Sequence, residues 1–211
     1  MSVLTRLAEK SWQTPGADAY RDPAEYRPAA AAVGLFVYMG VAIFLFLLMT
    51  AAYLMRMGGP GIMDHGTDDW QALPEPPLLW INTGVLILSS AAWEAARRLS
   101  LRGRAAAMRQ AALAGAALGL VFLAGQLVLW RHYYAHGYFL ASNPANAFFY
   151  LLTTVHGLHL IGGLVACVLV MRPMAAGPGA AGTGRNIRLC AVYWHFLLLV
   201  WLFLAGLLVM T

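Results

Sequence analysis

Two histidines three residues apart, His156 and His159, sit inside the apolar run FFYLLTTVHGLHLIGG, residues 148–163. A third, His195, lies in the later run YWHFLLLVWLFL. Imidazoles in a stretch of membrane length can ligate a metal or haem, pass a proton, or hydrogen-bond one helix to another. The other polar groups at such depth are few: Asn82, Gln126 and Glu94. Spacing disfavours the haem. His156 and His159 share one face of one helix, whereas paired axial ligands usually come from different helices at similar depth. At about 1.5 Å per residue, His159 falls about 18 Å from the inner end of its span, and His195 only about 10 Å from the inner end of its own. A haem-b anchor pairing His156 or His159 with His195 stays as the alternative. His132 and His136 are spaced i,i+4, but no nearby carboxylate or cysteine completes a site, so no metal ligand set is expected. A proton relay needs titratable groups in series, and almost no carboxylate lies at depth. Hydrogen bonding remains. A neutral imidazole has one donor and one acceptor, and both need partners when buried. His156, His159, His195, Gln126 and Asn82 are therefore expected to bond between helices, with Thr153, Thr154 and tyrosines as partners, at on the order of 1 kcal/mol per contact. Glu94, followed three and four residues later by Arg97 and Arg98, reads as a local ion pair at the headgroup boundary.

Helices must carry these groups. The 211-residue chain is 61% hydrophobic and 11% charged. A soluble domain carries about 25% charged residues, so a water-soluble fold could not cover its surface. The expectation is an all-α polytopic membrane protein, a bundle of five transmembrane helices. The spans fall at about 29–54, 77–96, 105–130, 145–171 and 189–210, each near the 20 apolar residues that cross hydrocarbon. Residues 1–28 form a polar tail broken by Pro15, Pro23 and Pro28, without a signal-peptide pattern; residues 29–211 form the membrane domain. Cys167 and Cys190 fall in or at the ends of spans and read as small apolar packing residues, not a disulfide framework.

Twelve of the 14 Lys and Arg residues fall on one side of these spans, leaving Arg56 and Arg131 on the other. The positive-inside rule then puts the N-terminus in the cytoplasm and the C-terminus outside. The outer loop GGPGIMDHGTDDWQALPEPP carries Asp64, Asp68, Asp69 and Glu75 and reads as solvated. The net charge of +5 points to anionic lipid headgroups rather than nucleic acid, since the basic residues flank spans. Arg97, Arg98, Trp130 and Arg131 are the headgroup candidates. Small residues cluster in the spans: Ser89 and Ser90 in the second, Gly115 and Gly119 four apart in the third, and Thr153 and Gly157, then Gly162 and Gly163, in the fourth. Helices in lipid need such close backbone approach to associate.

At this point the sequence resembles subunit III of the haem–copper respiratory oxidases. FFYLLTTVHGLHLIGGLV looks like that family's histidine helix, with Thr154 where a glycine is usual, and YWHFLLLVWLFLAGLL, from Tyr193, looks like its Tyr-Trp-His-Phe helix. LGLVFLAGQLVLW from Leu118, INTGVLILSSAAWEAA from Ile81 and VGLFVYMGVAIFLFLLMTAAYL from Val33 are similar to three further helices, in the family's order. The resemblance implies a non-catalytic subunit. Haem and copper are then held by partner subunits, and this chain packs on subunit I beside subunit II and binds phospholipids in a bacterial cytoplasmic membrane. Support of proton uptake and protection from turnover inactivation go with the same likeness. The surface buried against subunit I is expected to be the small-residue stripes. Two departures stand out. Only five helices are present, where many members have seven. Ala42, Leu129 and Leu198 stand where the family usually has carboxylates. These losses leave room for a quinol-oxidase or nitric-oxide-reductase-associated branch. A small transporter, the remaining alternative, would need charge or broken helices at the midplane.

Overall fold

The structure is a computed structural model that describes residues 30–57, 73–74, 76–171 and 183–210. The tail 1–28, the acidic positions of the first loop, Arg172 and the Gly- and Ala-rich last loop lie outside the described residues. Five helices follow in order: α1 Ala30–Met57, α2 Pro77–Leu101, α3 Ala105–Ala135, α4 Pro144–Met171 and α5 Thr183–Met210. All five are long and apolar enough to cross a membrane. Among the described residues there is no strand.

Several helices outrun the spans expected from hydropathy. α2 continues to Leu101, α3 to Ala135, and α5 begins at Thr183. At about 1.5 Å per residue, helices of 25 to 31 residues are about 37–46 Å long, against about 30 Å of hydrocarbon. The extra turns carry Arg97, Arg98, Arg131, Arg185 and Arg188, which suit the helix but not the lipid. Prolines open two of the helices: Pro77 is at the first turn of α2 and Pro144 begins α4, positions whose N–H would be unsatisfied in any case. Asn143 caps α4, its Oδ1 accepting from the Ala145 N–H at 2.9 Å. α2 and α3 are joined by Arg102–Gly103–Arg104, where Gly103 takes φ +68°, a left-handed turn open to glycine at no steric cost.

The chain divides into two units, Met1–Val37 and Tyr38–Thr211. Of the first, the described part is the opening two turns of α1. In the second, α2 packs most extensively on α3 and next on α5, while α4 packs on α5 and α3. The buried positions on α3 are Met108, Ala112, Gly115, Gly119, Phe122, Gln126, Leu129 and Tyr133. Their spacing alternates four and three, a 3.5-residue repeat that keeps one seam facing its neighbours along the whole helix. On α2, Leu79, Asn82, Leu86, Ser89, Trp93 and Ala96 follow the same repeat, with Thr83 and Ser90 beside it. Seen from Tyr38 on, α1 buries a narrower stripe: Ala42, Phe46, Thr50 and Tyr53. Phe46 and Tyr53 join Leu152 of α4 and Leu204 of α5 in one apolar cluster.

Candidate functional site

The deep polar groups lie on the seams between helices. On the α2–α5 seam two tryptophans act as donors. The Trp194 indole N–H donates to Ser89 Oγ at 2.7 Å, and that hydroxyl donates to the Gly115 carbonyl of α3 at 2.7 Å. Two turns further along α5, Trp201 Nε1–H donates to Thr83 Oγ1 at 2.9 Å, and Thr83 donates to the Leu79 carbonyl, also at 2.9 Å. Partner numbers rise on α5 as they fall on α2, the register of antiparallel helices. At the level of the Ser89–Trp194 bond, Ser90 Oγ and His195 Nδ1 are 2.6 Å apart. His195 Nε2 lies 3.5 Å from Glu94, which Arg97 grips with both Nε and an Nη at 2.7 Å and Arg98 Nε reaches at 2.8 Å. The pairing of Glu94 with both arginines matches its sequence spacing; the third neighbour, His195, is a feature that spacing along one helix could not disclose.

Asn82 of α2 donates to Gln126 Oε1 of α3 at 3.1 Å. Gly125 makes room for it: a Cβ there would collide with the Asn82 amide. Gly115 and Gly119 seat indoles. A Cβ on Gly115 would come 2.8 Å from the Trp93 ring, and one on Gly119 2.9 Å from the ring of Trp194. Gly163 likewise admits the Tyr193 ring, whose hydroxyl donates to the His159 carbonyl at 2.9 Å.

The histidines of α4 behave differently from expectation. His156 is fully buried, yet neither ring nitrogen makes a hydrogen bond. Rings surround it instead: Trp201 at 5.1 Å between centroids, Phe122 at 5.8 Å in an edge-on contact, and Phe46 at 6.5 Å. The inter-helix bond expected of His156 is thus replaced by aromatic packing, because α1, α3 and α5 all present apolar rings to it. His159 is half-buried, and its Nδ1 pairs with the Val155 carbonyl of its own helix at 2.8 Å. Its ring bonds within α4, not across to a neighbour, and lies 5.3 Å from Phe46 and 5.8 Å from Tyr38. These surroundings do not fit a haem. His156 has no open face, and both ring nitrogens of His195 already face Ser90 and Glu94. Among the described residues no three of His, Cys, Asp and Glu come together as a metal-competent group.

Three further expectations are corrected. Ser89, Ser90, Gly115 and Gly119 are buried against this chain's own helices, so they offer no stripe to a partner. Gly157 is in ordinary contact range of Leu123, 3.7 Å from where its Cβ would be, and nothing lies within 4 Å at Gly162. The tight α4 glycine is Gly163, one residue on, because α4 turns that face to α5. Trp130 does not direct its indole at a headgroup. The N–H donates to Thr153 Oγ1 of α4 at 3.1 Å, and the ring packs edge-on against Tyr150. Arg131 beside it is exposed, as are Arg98 and, partly, Arg97.

The fold and this interior define a class: a multi-pass helical membrane protein in which several buried polar groups bond one of its own helices to another. The sequence model of the family described as cytochrome c oxidase subunit III matches residues 31–210. The chain is 32% identical over 193 residues to cytochrome c oxidase subunit 3 of Thermostichus vulcanus, covering 89% of this chain and 90% of that protein. It is 30% identical over 181 residues to the probable cytochrome c oxidase subunit 3 of Mycobacterium tuberculosis (strain H37Rv), covering 83% and 85%. To the subunit 3 of Synechocystis it is 31% identical over 173 residues, covering 82% and 71%. The chain belongs to the cytochrome c oxidase subunit III family.

Proposed function

We propose that this protein is the non-catalytic subunit III of a haem–copper terminal oxidase that takes electrons from cytochrome c and reduces oxygen to water. It sits in a bacterial cytoplasmic membrane with the N-terminus inside. The observation that carries the reading is how the deep polar groups are used. Asn82, Gln126, Thr83, Ser89 and the indoles of Trp194 and Trp201 bond to each other inside the chain, and the buried imidazole is walled by rings. Redox chemistry then belongs to haem and copper in partner subunits, with subunit I the main contact and subunit II alongside. The relatives' names support cytochrome c as donor, in preference to the quinol and nitric-oxide variants. The positions Ala42 and Leu129, where the family usually has carboxylates, are buried at 2% and 0% exposure. An apolar side chain there supports a structural role rather than proton delivery.

Phospholipid binding is part of the proposal. A groove of about 520 Å³ at the outer ends of α3 and α4 is lined by Trp130, Arg131, Tyr134, Ala135, Leu140 and Tyr150. Its rings suit acyl chains at the interface, and Arg131 suits a phosphate. Arg97 and Arg98 take the corresponding place at the inner boundary.

The test is purification of the tagged chain from native membranes in mild detergent. A haem–copper catalytic subunit is expected in one-to-one ratio, and the chain stripped of partners should show no Soret band. Absence of that subunit would overturn the assignment. So would a Soret band in the isolated chain that disappears in His156 or His195 variants, which is the behaviour of a haem-b anchor.

A further inference from the structure

The sequence has only two cysteines, Cys167 on α4 and Cys190 on α5, both free and buried. The two thiols interact across the α4–α5 interface, on the same seam as the Gly163–Tyr193 and His159–Tyr193 contacts. The local packing explains why. One turn before Cys167, the Tyr193 ring comes within 2.6 Å of where a Cβ on Gly163 would be. A turn further out, the Tyr193 hydroxyl holds the His159 carbonyl at 2.9 Å. This clamp fixes two antiparallel helices in close approach, and the next turn inward sets Cys167 opposite Cys190. A disulfide joins Cα atoms about 4.4–6.8 Å apart, a separation that residues facing each other on helices packed at the usual distance of about 8–10 Å can reach. The pair is also near one end of its helices. Cys167 is one turn from the end of α4 at Met171, and Cys190 is two residues beyond Arg188, whose charge belongs outside hydrocarbon. A small polar oxidant therefore need not cross the membrane midplane to reach it.

We propose that Cys167 and Cys190 form a dithiol that hydrogen peroxide closes into an intramolecular disulfide, stapling α4 to α5, and that a dithiol reductant reopens. Cys190 is 7% exposed against 1% for Cys167, so its sulfur meets the peroxide first. The sulfur attacks one peroxide oxygen, the O–O bond breaks, and Cys190 becomes a sulfenic acid as one water leaves. The Cys167 sulfur then attacks that sulfur. The S–S bond forms, the S–O bond breaks, and the hydroxyl departs with the Cys167 proton as a second water. Two thiols are oxidised by two electrons while one peroxide is reduced to two waters. Thiol–disulfide exchange with dithiothreitol reverses it. Ordinary packing would equally bury two cysteines; their placement opposite each other on one seam, beside the Gly163–Tyr193 contact, is what adds chemistry to the pair. The inference is independent of the oxidase assignment.

With two cysteines in the chain, thiol counting is unambiguous. Membranes carrying the full-length protein are treated with hydrogen peroxide, quenched, unfolded in detergent, labelled with a maleimide and weighed intact. Both labels should be lost together, with the mass lower by two hydrogens, and dithiothreitol should restore both. In Cys167→Ser the disulfide should vanish, and dimedone should trap Cys190 as a sulfenic acid. Three results would overturn the proposal. They are two thiols that stay labelled after peroxide, label loss with added oxygen that dithiothreitol does not reverse, and a Cys167→Ser chain that loses its label as reversibly as the parent without a dimedone adduct.

Discussion

A buried indole has one proton to donate, and inside a bilayer no solvent stands ready to accept it. Trp194 and Trp201, both fully buried, solve this with a hydroxyl on α2 that passes the bond on to a carbonyl. Removing the hydroxyl leaves the indole unpaired, whereas removing both groups leaves nothing unpaired, so the two losses should not add. A double-mutant cycle of Thr83→Val and Trp201→Phe, read by reversible unfolding in mixed micelles, should give a coupling of about 1 kcal/mol. Additivity within experimental error would show that the bond contributes nothing. His156 argues the other way. Its nitrogens bond to nothing, so the polar atoms cost desolvation without return. His156→Leu, close in volume, should leave stability within about 1 kcal/mol or raise it, measured the same way. A loss of about 3 kcal/mol would mean the imidazole holds a bond after all. The sequence marked both kinds of residue as polar in an apolar run. It could not separate them, because what matters is which side chains of three other helices surround each one.

Helix existence was legible because it depends on runs of apolar residues, which are local. Helix ends were not, since hydropathy stops at the first arginine while the backbone continues: α5 starts at Thr183, six residues before the apolar boundary. Contact faces were legible as a type and not as positions. Small residues were visible on three helices, but which glycine meets a ring depends on the rotation of each helix about its axis. That rotation makes Gly119 and Gly163 tight and leaves Gly162 open. It also hid Gly125 and the fully buried rings of Trp93, Trp194 and Trp201, whose one available signal was size beside small residues. The difference predicts opposite outcomes for one chemical change. Gly119→Ala puts a methyl 2.9 Å from the Trp194 ring, which is itself bonded to Ser89 and cannot retreat freely. It should cost about 1–3 kcal/mol, the usual range for overpacking. Gly162→Ala meets nothing within 4 Å and should gain up to about 1 kcal/mol from helix propensity. Thermal melts of the two variants in the same detergent check the pair; equal effects would contradict this packing.

At the scale of the molecule, the register of the seams decides which helix ends share a side. Trp194 meets Ser89 while Trp201 meets Thr83, so α2 runs against α5. Asn82 meets Gln126 while Ser89 meets Gly115, so α2 also runs against α3. Trp130 meets Thr153 near one end, and Gly119 approaches Leu164 toward the other, so α4 opposes α3. The alternation gathers Arg97, Arg98, Arg102, Arg104, Arg185 and Arg188 at one end and leaves Arg131 at the other. Positively charged connections resist translocation, each basic residue near a span adding to the bias, so the arginine-rich end should face the cytoplasm. Epitope tags at the two termini of the chain in intact spheroplasts test this. External protease should remove the C-terminal tag and spare the N-terminal one until the membrane is opened. Moving charge should move the outcome in the same direction. Neutralising Arg102 and Arg104 while adding lysines to the loop after α1 should produce a fraction of chains with the tags reversed. If the unaltered chain already exposes its N-terminus, the basic cluster lies outside, and both the orientation and the inner-boundary placement of Arg97, Arg98 and the Cys167–Cys190 pair would have to be inverted together.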